Sequence, residues 1–277
     1  MEHPAYSQLR PVTDNVGVVL AMNPSYSALE GTNTWIIRGK NDRVSVVVDP
    51  GPADEGHLNV VTSKATQDGG QIGLTLLTHR HDDHAAGAHR FRQINGTSIR
   101  AVDKTHNYGD VQPLENGEFI KIEGLTPTIE VVTTPGHTKD SVCFFIHSQG
   151  GTDDSDVEGI ITGDTIAGRH TTMISETDGD LGAYIETLRM LQKRGEGKTL
   201  LPGHGPEHQD VSELATKYLE RREQRLQQVK QARAELGEDA TVGELVDFIY
   251  TDVDPVLRSA AEQSTRVAVR YLAEQDN

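Results

Sequence analysis

The chain has 277 residues, 26 of them basic and 42 acidic, so its formal net charge is −16. Such a surface favours solubility and repels polyanions, which argues against a dedicated nucleic-acid-binding protein. The first ten residues lack a signal-peptide pattern, and no apolar run approaches the ~20 residues of a membrane span. We therefore expect a cytoplasmic protein that does not bind membranes.

The first two hundred residues alternate short β-branched runs with Gly, Asp and Pro, a pattern typical of strands separated by turns. Such runs predict strands at Val16–Leu20, Thr34–Ile37, Val44–Val48, Leu74–Leu77, Glu130–Val132, Cys143–Ile146, Gly159–Thr162 and Leu200–Leu201. Helical spacing of apolar residues predicts helices at Asp54–Thr66 and Asp180–Arg194. This alternation indicates a layered α/β arrangement with mixed sheets. Cys143 is the single cysteine, which excludes an intrachain disulfide, and we expect it in the core.

The pattern changes after Pro206, where strand signals end and charged helical patterns begin. A long helix is predicted over Leu214–Ala232, and a capping-box spacing at Thr241 and Glu244 begins a second helix. Asp254–Pro255 predicts the start of a third helix. We place a domain boundary near residue 208, between a catalytic domain (1–208) and a helical domain (209–277).

A histidine-rich motif follows the strand predicted at Leu74–Leu77: its key residues are His79, His81, Asp83 and His84. Histidines two positions apart in extended chain point the same way, so both imidazoles can reach one ion. Asp83 and His84 lie in the turn beyond, where they can address a second ion. Neutral imidazole and carboxylate are ligands that zinc accepts.

Three more motifs place one ligand-type side chain each in a loop at the end of a predicted strand. The sequence TPGHT contains His137, GDT contains Asp164 and LPGHG contains His204. Each motif carries a glycine, which lets the backbone approach a metal closely. Together with the first motif, they predict a metal centre.

These motifs resemble those of the metallo-β-lactamase superfamily, over essentially residues 15–210. The resemblance implies an αββα sandwich and a hydrolase with a dinuclear site along one sheet edge. One ion would be bound by His79, His81 and His137, and the other by Asp83, His84 and His204, with Asp164 bridging. The ligand types and the metal usual in this superfamily favour two zinc ions per chain, with iron or manganese as alternatives. A bridging aspartate is typical of glyoxalase II-like and nuclease-like members and not of antibiotic β-lactamases.

Charge then predicts the mechanism. Two divalent ions, two aspartates and a hydroxide leave the site locally cationic, which favours a substrate with a negative or polarised oxygen. The ions would supply the hydroxide nucleophile, and Asp83 would also take or shuttle a proton. Asp49, at the end of a strand, is interpreted as structural support for the ligands. His170 is either a substrate-facing or a packing residue.

Within the superfamily, the segments GTNTWII, RHTT and LPGHGP are most similar to the beta-lactamase-like protein 2 group. That group adds a winged-helix-like C-terminal domain, and its animal mitochondrial member is a single-strand endoribonuclease. The resemblance therefore implies a single-stranded RNA substrate. However, the wing is not expected here, and residues 205–277 hold nine basic and 15 acidic residues, unlike an RNA-binding appendage. A small thioester, lactone or other acyl substrate is the alternative.

One helical stripe bears on this choice. Lys217, Arg221 and Arg225 recur every four residues and would contact phosphates if the substrate is RNA. Otherwise they form a solvated helix face paired with Glu213 and Glu220. In that case the helical domain would wall the cleft or form a homodimer contact.

Overall fold

The computed structural model describes residues 5–251 and 257–275. Its eleven strands, in chain order, are β1 Leu9–Pro11, β2 Val16–Leu20, β3 Asn33–Ile37, β4 Val44–Val48, β5 Gln71–Leu76, β6 Ile99–Arg100, β7 Phe119–Ile120, β8 Thr128–Thr133, β9 Val142–His147, β10 Val157–Gly163 and β11 Thr199–Pro202. Its α-helices within the described residues are α1 Glu55–Ala65, α2 Asp82–Ala85, α3 Ala88–Asn95, α4 Leu181–Arg194, α5 Val211–Leu236, α6 Val242–Ile249 and α7 Arg258–Gln275.

The strands form two mixed sheets. The first has the order β1-β2-β3-β4-β5-β6, and the second has the order β11-β10-β9-β8-β7. Pairing is antiparallel wherever a short turn joins neighbours, and parallel where a helix crosses over, as α1 does between β4 and β5 and α4 between β10 and β11.

The core lies in three layers around these sheets. Between the sheets, Val46, Val48 and Leu76 of the first pack with Phe144 and Ile161 of the second. Helices α1 and α3 cover the outer face of the first sheet, and α4 and α5 cover that of the second. Since the central strands are buried on both faces, apolar residues such as Val46 and Val47 of β4 occur at consecutive positions and not only at alternate ones. The predicted αββα arrangement is confirmed.

Most predicted elements are present with bounds shifted by a few residues. The caps explain part of the shift: Asp54 and Asp180, predicted inside helices, are the N-caps of α1 and α4. Strands β1, β6 and β7 and helices α2 and α3 were not predicted from the sequence; they are short, and two of these strands have only two residues. Cys143 is fully buried, as predicted.

Only helices follow β11 among the described residues. Thr241 forms the predicted capping box with Glu244 at the start of α6, and Asp210 caps α5. The predicted helix start at Asp254–Pro255 lies outside the described residues. Tyr218 and Leu219 of α5 and Val267 of α7 belong to the core on the outer face of the second sheet. The helical region therefore packs on the sandwich, and the domain boundary near residue 208 stays a prediction.

Within the described residues, no helix combines the length and the hydrophobicity needed to cross a bilayer.

Candidate metal centre

The seven predicted residues meet at one edge of the sandwich, because the strands that precede them end there. Strands β8, β10 and β11 run in the same direction, so His137, Asp164 and His204 leave the second sheet at the same side. The segment after β5 joins them, since the N–H of Val142 donates to the carbonyl of Thr78 (2.9 Å). Asp83 and His84 lie on the one-turn helix α2, where the sequence predicted a simple turn.

The first cluster consists of His79, His81 and His137. Nδ1 of His81 lies 3.1 Å from Nε2 of His79 and 3.1 Å from Nε2 of His137. Three ring nitrogens this close repel one another through their lone pairs unless a cation or a proton lies between them. Nitrogen is a normal ligand atom for zinc, so this donor set fits a metal ion.

The second cluster consists of Asp83, His84 and His204. Nε2 of His84 and Nε2 of His204 are 3.2 Å apart, and Oδ2 of Asp83 lies 3.1 Å from Nε2 of His204. The ligand atoms of each cluster all lie within 4.8 Å of one another.

Asp164 stands between the clusters and presents one oxygen to each. Its Oδ1 is 3.3 Å from Nε2 of both His84 and His204. Its Oδ2 is 3.7 Å from Nε2 of His137 and 4.0 Å from Nε2 of His79. Oδ1 is buried and accepts no hydrogen bond from the described residues. A buried carboxylate oxygen without a donor needs compensating positive charge, which a bridged pair of cations would provide.

In four of the clustered histidines, the ring nitrogen that points away from the cluster forms a hydrogen bond. The nitrogen that points into the cluster is therefore available to bind an ion. Nδ1 of His84 donates to Oδ2 of Asp49 (2.8 Å), and Nδ1 of His137 donates to the carbonyl of Met173 (2.9 Å). Nδ1 of His204 donates to the carbonyl of Gly31 (3.2 Å). Nδ1 of His79 donates to Oγ1 of Thr78 (3.0 Å), which itself donates to Asp49. Such outer partners fix the tautomer and the ring orientation of metal-binding histidines.

Glycine is required where the loops pass closest to this centre. A Cβ on Gly203 would lie 2.6 Å from Oδ1 of Asp164 and 2.7 Å from Cε1 of His84. Gly163 has φ +49°, and its Cβ would lie 2.6 Å from Oγ1 of Thr78. These contacts agree with the sequence-based prediction that glycine permits close approach.

The two clusters differ in proton affinity. Burial lowers the pKa of His79 well below its usual value, and burial also lowers the pKa of His81. Burial acts in the same direction on His84, but the Asp164 and Asp49 carboxylates outweigh it and raise its pKa well above the usual value. Likewise, Asp164 overcomes burial and raises the pKa of His204 to about 9.

The carboxylates respond in the opposite sense. Burial alone would raise the pKa of Asp164, but the neighbouring His204 and His84 hold it well below its ordinary value. Burial would also raise the pKa of Asp83, yet its contact with His204 lowers it. Both aspartates are therefore anions, as metal ligands must be.

Other predicted residues have defined places. Asp49 accepts hydrogen bonds from the N–H of Thr78 (2.8 Å) and its hydroxyl (2.6 Å) besides that from His84, so its predicted supporting role is confirmed. His170 is half-buried, and its Nε2 donates to the carbonyl of Ser27 (3.0 Å), which ties two loops beside the centre.

Three further residues that support the clustered histidines were not predicted from the sequence: Thr78, Met173 and Gly31. Thr78 precedes the histidine motif and had a local signal, but Met173 and Gly31 act through backbone carbonyls, which every residue type possesses. A cavity of about 290 Å³ was also missed. It lies beside the centre and is lined in part by Arg80, Asp103, Lys139, Asp140 and Asp178.

Comparisons with known proteins agree with this geometry. The atrochrysone carboxyl ACP thioesterase of Aspergillus fumigatus is 30% identical over 84% of this chain and 72% of its own length. The lactamase-like protein ptaB of Pestalotiopsis fici is 28% identical over 99% of this chain and 84% of its own length.

Solved structures share the fold. A beta-lactamase domain protein from Burkholderia ambifaria superposes with a TM-score of 0.78 at 19% identity, covering 99% of this chain and 90% of that one. A metallo-beta-lactamase family protein from Thermus thermophilus superposes with a TM-score of 0.66 at 17% identity, covering 95% of both chains. The model of the metallo-beta-lactamase superfamily matches residues 28–204. The chain belongs to the metallo-beta-lactamase superfamily and is a hydrolase.

Proposed function

We propose that this chain hydrolyses an acyl thioester at a centre that holds two divalent cations, most favourably zinc. The observation that carries the proposal is Asp164, which offers one carboxylate oxygen to each of two histidine clusters. The similarity to a thioesterase that acts on a carrier-protein-linked acyl group supports a thioester as the substrate. This is the alternative that the sequence analysis left open, and it is better supported than RNA.

Cations held by these seven side chains would supply Lewis acidity, which acidifies water and polarises a carbonyl. The protein's own residues do the rest. Asp49 and Thr78 hold His84 and His79 in the tautomers that expose Nε2. Water adds to the thioester carbon, the C–S bond breaks, and the thiol leaves. Asp83, an anion whose side chain is 35% exposed, takes the proton from water and returns it to the departing sulfur.

The surroundings of the centre favour an acyl group over a polyanion. Three exposed apolar side chains lie on the two loops tied by His170: Met22 (54% exposed), Tyr26 (76%) and Met173 (48%). The neighbouring cavity is lined by three aspartates and only two cations, one of which, Arg80, pairs with Asp178 at 2.9 Å. Acidic side chains therefore outnumber basic ones in the lining of this cavity.

The helical stripe considered for phosphate contacts is also divided. Lys217 pairs with Glu213 at 2.5 Å, while the guanidinium of Arg225 lies 4.1 Å from the centre of the Tyr250 ring. One of the three cations is thus neutralised and another is engaged with an aromatic ring, which weakens the case for RNA.

The test compares two substrates on the purified protein: an acyl thioester of N-acetylcysteamine and a single-stranded RNA oligonucleotide. We expect metal-dependent release of thiol with the RNA intact, and loss of that release in His81→Ala. Metal-dependent RNA cleavage that is lost in the same variant, without thioester turnover, would overturn the proposal. Metal analysis of protein purified without chelator tests the zinc assignment. Cytoplasmic location and a homodimer stay predictions.

A further inference from the structure

The segment from Asp164 to Asp180 links β10 to α4 over 17 residues without helix or strand. Uncommonly long irregular segments of this kind usually have a functional role. The segment begins at Asp164 itself, and the carbonyl of Met173 accepts the hydrogen bond from Nδ1 of His137. Its path therefore sets the position of two residues of the proposed metal centre.

Helices α4 and α5 hold the first half of this segment by its backbone. The hydroxyl of Tyr184 donates to the carbonyl of Thr165 (2.7 Å). The hydroxyl of Tyr218 accepts from the N–H of Ala167 (3.1 Å) and also contacts the carbonyl of His170. These contacts fix the chain on both sides of the turn at Gly168.

Helix α7 holds the second half. Arg270 donates from Nη1 to the carbonyl of Glu176 (2.9 Å) and from Nη2 to that of Gly179 (3.4 Å). Nε2 of Gln263 lies 3.5 Å from the carbonyl of Ile174. The segment that contacts His137 is thus held from both sides of Met173 by the helical region.

Arg222 of α5 is nearest to that contact. Its Nη2 donates to the carbonyl of Thr172, the residue before Met173, and its guanidinium lies 5.3 Å from the centre of the Tyr184 ring. The hydroxyl of Thr172 donates to the carbonyl of Asp164 (2.7 Å). Two consecutive residues, Thr172 and Met173, thus connect Arg222 to both His137 and Asp164. No carboxylate among the described residues forms an ion pair with Arg222, and the hydrogen bond from its Nη2 goes to the segment.

We infer that Arg222 is a positioning residue for the metal centre: through Thr172 and Met173 it orients His137 and steadies Asp164, so that the helical region maintains the first cluster. This inference rests on the two-cation centre of the proposed function and adds how the helical region retains one of the ions; it does not depend on the substrate. Loss of an outer partner of a metal ligand costs about 10–100-fold in metal affinity. Arg222 acts one residue further out, so we expect the lower end of that range.

The test measures zinc retained per chain during timed dialysis against a chelator. Arg222→Met keeps an apolar stem and removes the donors, Arg222→Lys restores one donor and the charge, and Arg221→Met is the control at the exposed neighbouring position. We expect Arg222→Met to lose one of two ions about tenfold faster than the wild type. Arg222→Lys should retain that ion for an intermediate time, and Arg221→Met should match the wild type.

Thermal unfolding of the chelated proteins separates positioning from general packing. The inference is supported if metal-free Arg222→Met and Arg221→Met unfold at similar temperatures while only the first loses an ion quickly. It is overturned if Arg222→Met keeps both ions as long as the wild type, or loses both in parallel with a lowered unfolding temperature. If Arg222→Met fails to fold, Tyr218→Phe removes the hydroxyl contacts to the same segment, and the same two criteria apply to it.

Discussion

The two clusters of the proposed metal centre contain similar residues but differ in proton affinity. His79 and His84 are both almost fully buried. Yet the pKa of His79 is lowered well below its usual value by burial, while nearby carboxylates overcome burial and raise that of His84 well above it. The first cluster is supported by a hydroxyl and a backbone carbonyl, and the second by the carboxylate of Asp49 and the backbone carbonyl of Gly31.

The difference shows that burial alone does not decide the charge of a histidine. At His79, Oδ2 of Asp164 lies 4.0 Å from Nε2, yet desolvation and the neighbouring histidines outweigh it and favour the neutral ring, whose nitrogen can bind an ion. Where a carboxylate lies within hydrogen-bonding distance, the ring holds a proton that an ion must displace. We therefore expect the two halves to take up metal with different pH dependence.

Asp164→Asn should have the largest effect, because it removes negative charge from both halves at once. Loss of an outer hydrogen-bond partner of a metal ligand alone lowers metal affinity or activity about 10–100-fold. Because Asp164 would itself be a ligand, we expect kcat/KM for the thioester to fall more than ~100-fold in Asp164→Asn. Metal analysis should find that Asp164→Asn loses both ions readily, whereas His81→Ala loses only one. Two tightly held ions in Asp164→Asn would contradict a bridging role.

Lowering the pH should weaken the second ion selectively. In the ion-free protein the pKa of His204 is about 9, so below that pH the ring carries a proton, and a metal accepts only the neutral form. Each displaced proton costs about tenfold in apparent affinity per pH unit, or ~100-fold between pH 8 and pH 6. His79, with its lowered pKa, has no proton to displace in this range.

Zinc titration against a competing chelator at several pH values checks this prediction. One site should weaken with falling pH and the other should change much less. If the metal affinity of both sites fell equally with pH, the carboxylates near His84 and His204 would not make the second cluster more sensitive to pH than the first.

Asp49→Asn should weaken the second half more than the first, by about 10–100-fold in metal affinity. Asp49 accepts directly from His84, but reaches His79 only through Thr78. Its φ is +52°, a conformation that asparagine tolerates, so the backbone should be preserved. Chelator competition on the variant measures the effect, and a loss confined to the first ion would reverse the assignment.

Lys217→Met should have the smallest effect, since Lys217 lies on α5 and pairs with Glu213 on the exposed surface. Exposed pairs four residues apart contribute only ~0.3–0.5 kcal/mol to stability. We expect thioester turnover to change less than about twofold, with the unfolding temperature nearly constant. A large loss of activity would restore the basic stripe as a substrate-binding surface.

The sequence predicted the central strands and all seven clustered residues because their signals are local. A strand buried on both faces is mostly apolar, and Val44–Val48, in which Ser45 is the single polar residue, shows that pattern without any knowledge of its neighbours. Strands β6 and β7 were not predicted, because each has only two residues, too few to show an alternation of apolar and polar side chains. The one-turn helix α2 was not predicted, because Asp83 and His84 were interpreted as metal ligands in a turn.

What the sequence determined by itself was the donor set: histidines and aspartates placed just after strands, in the order of a metallo-beta-lactamase centre. Only the tertiary structure decided which oxygen of Asp164 faces which cluster, which histidines are neutral, and how α5 and α7 hold the segment that supports His137. The reason is physical. The type of each side chain is known from the sequence, whereas the proton affinity of a histidine depends on its distances to neighbouring charges. The carbonyl that supports His137 belongs to the backbone, which is the same at every residue.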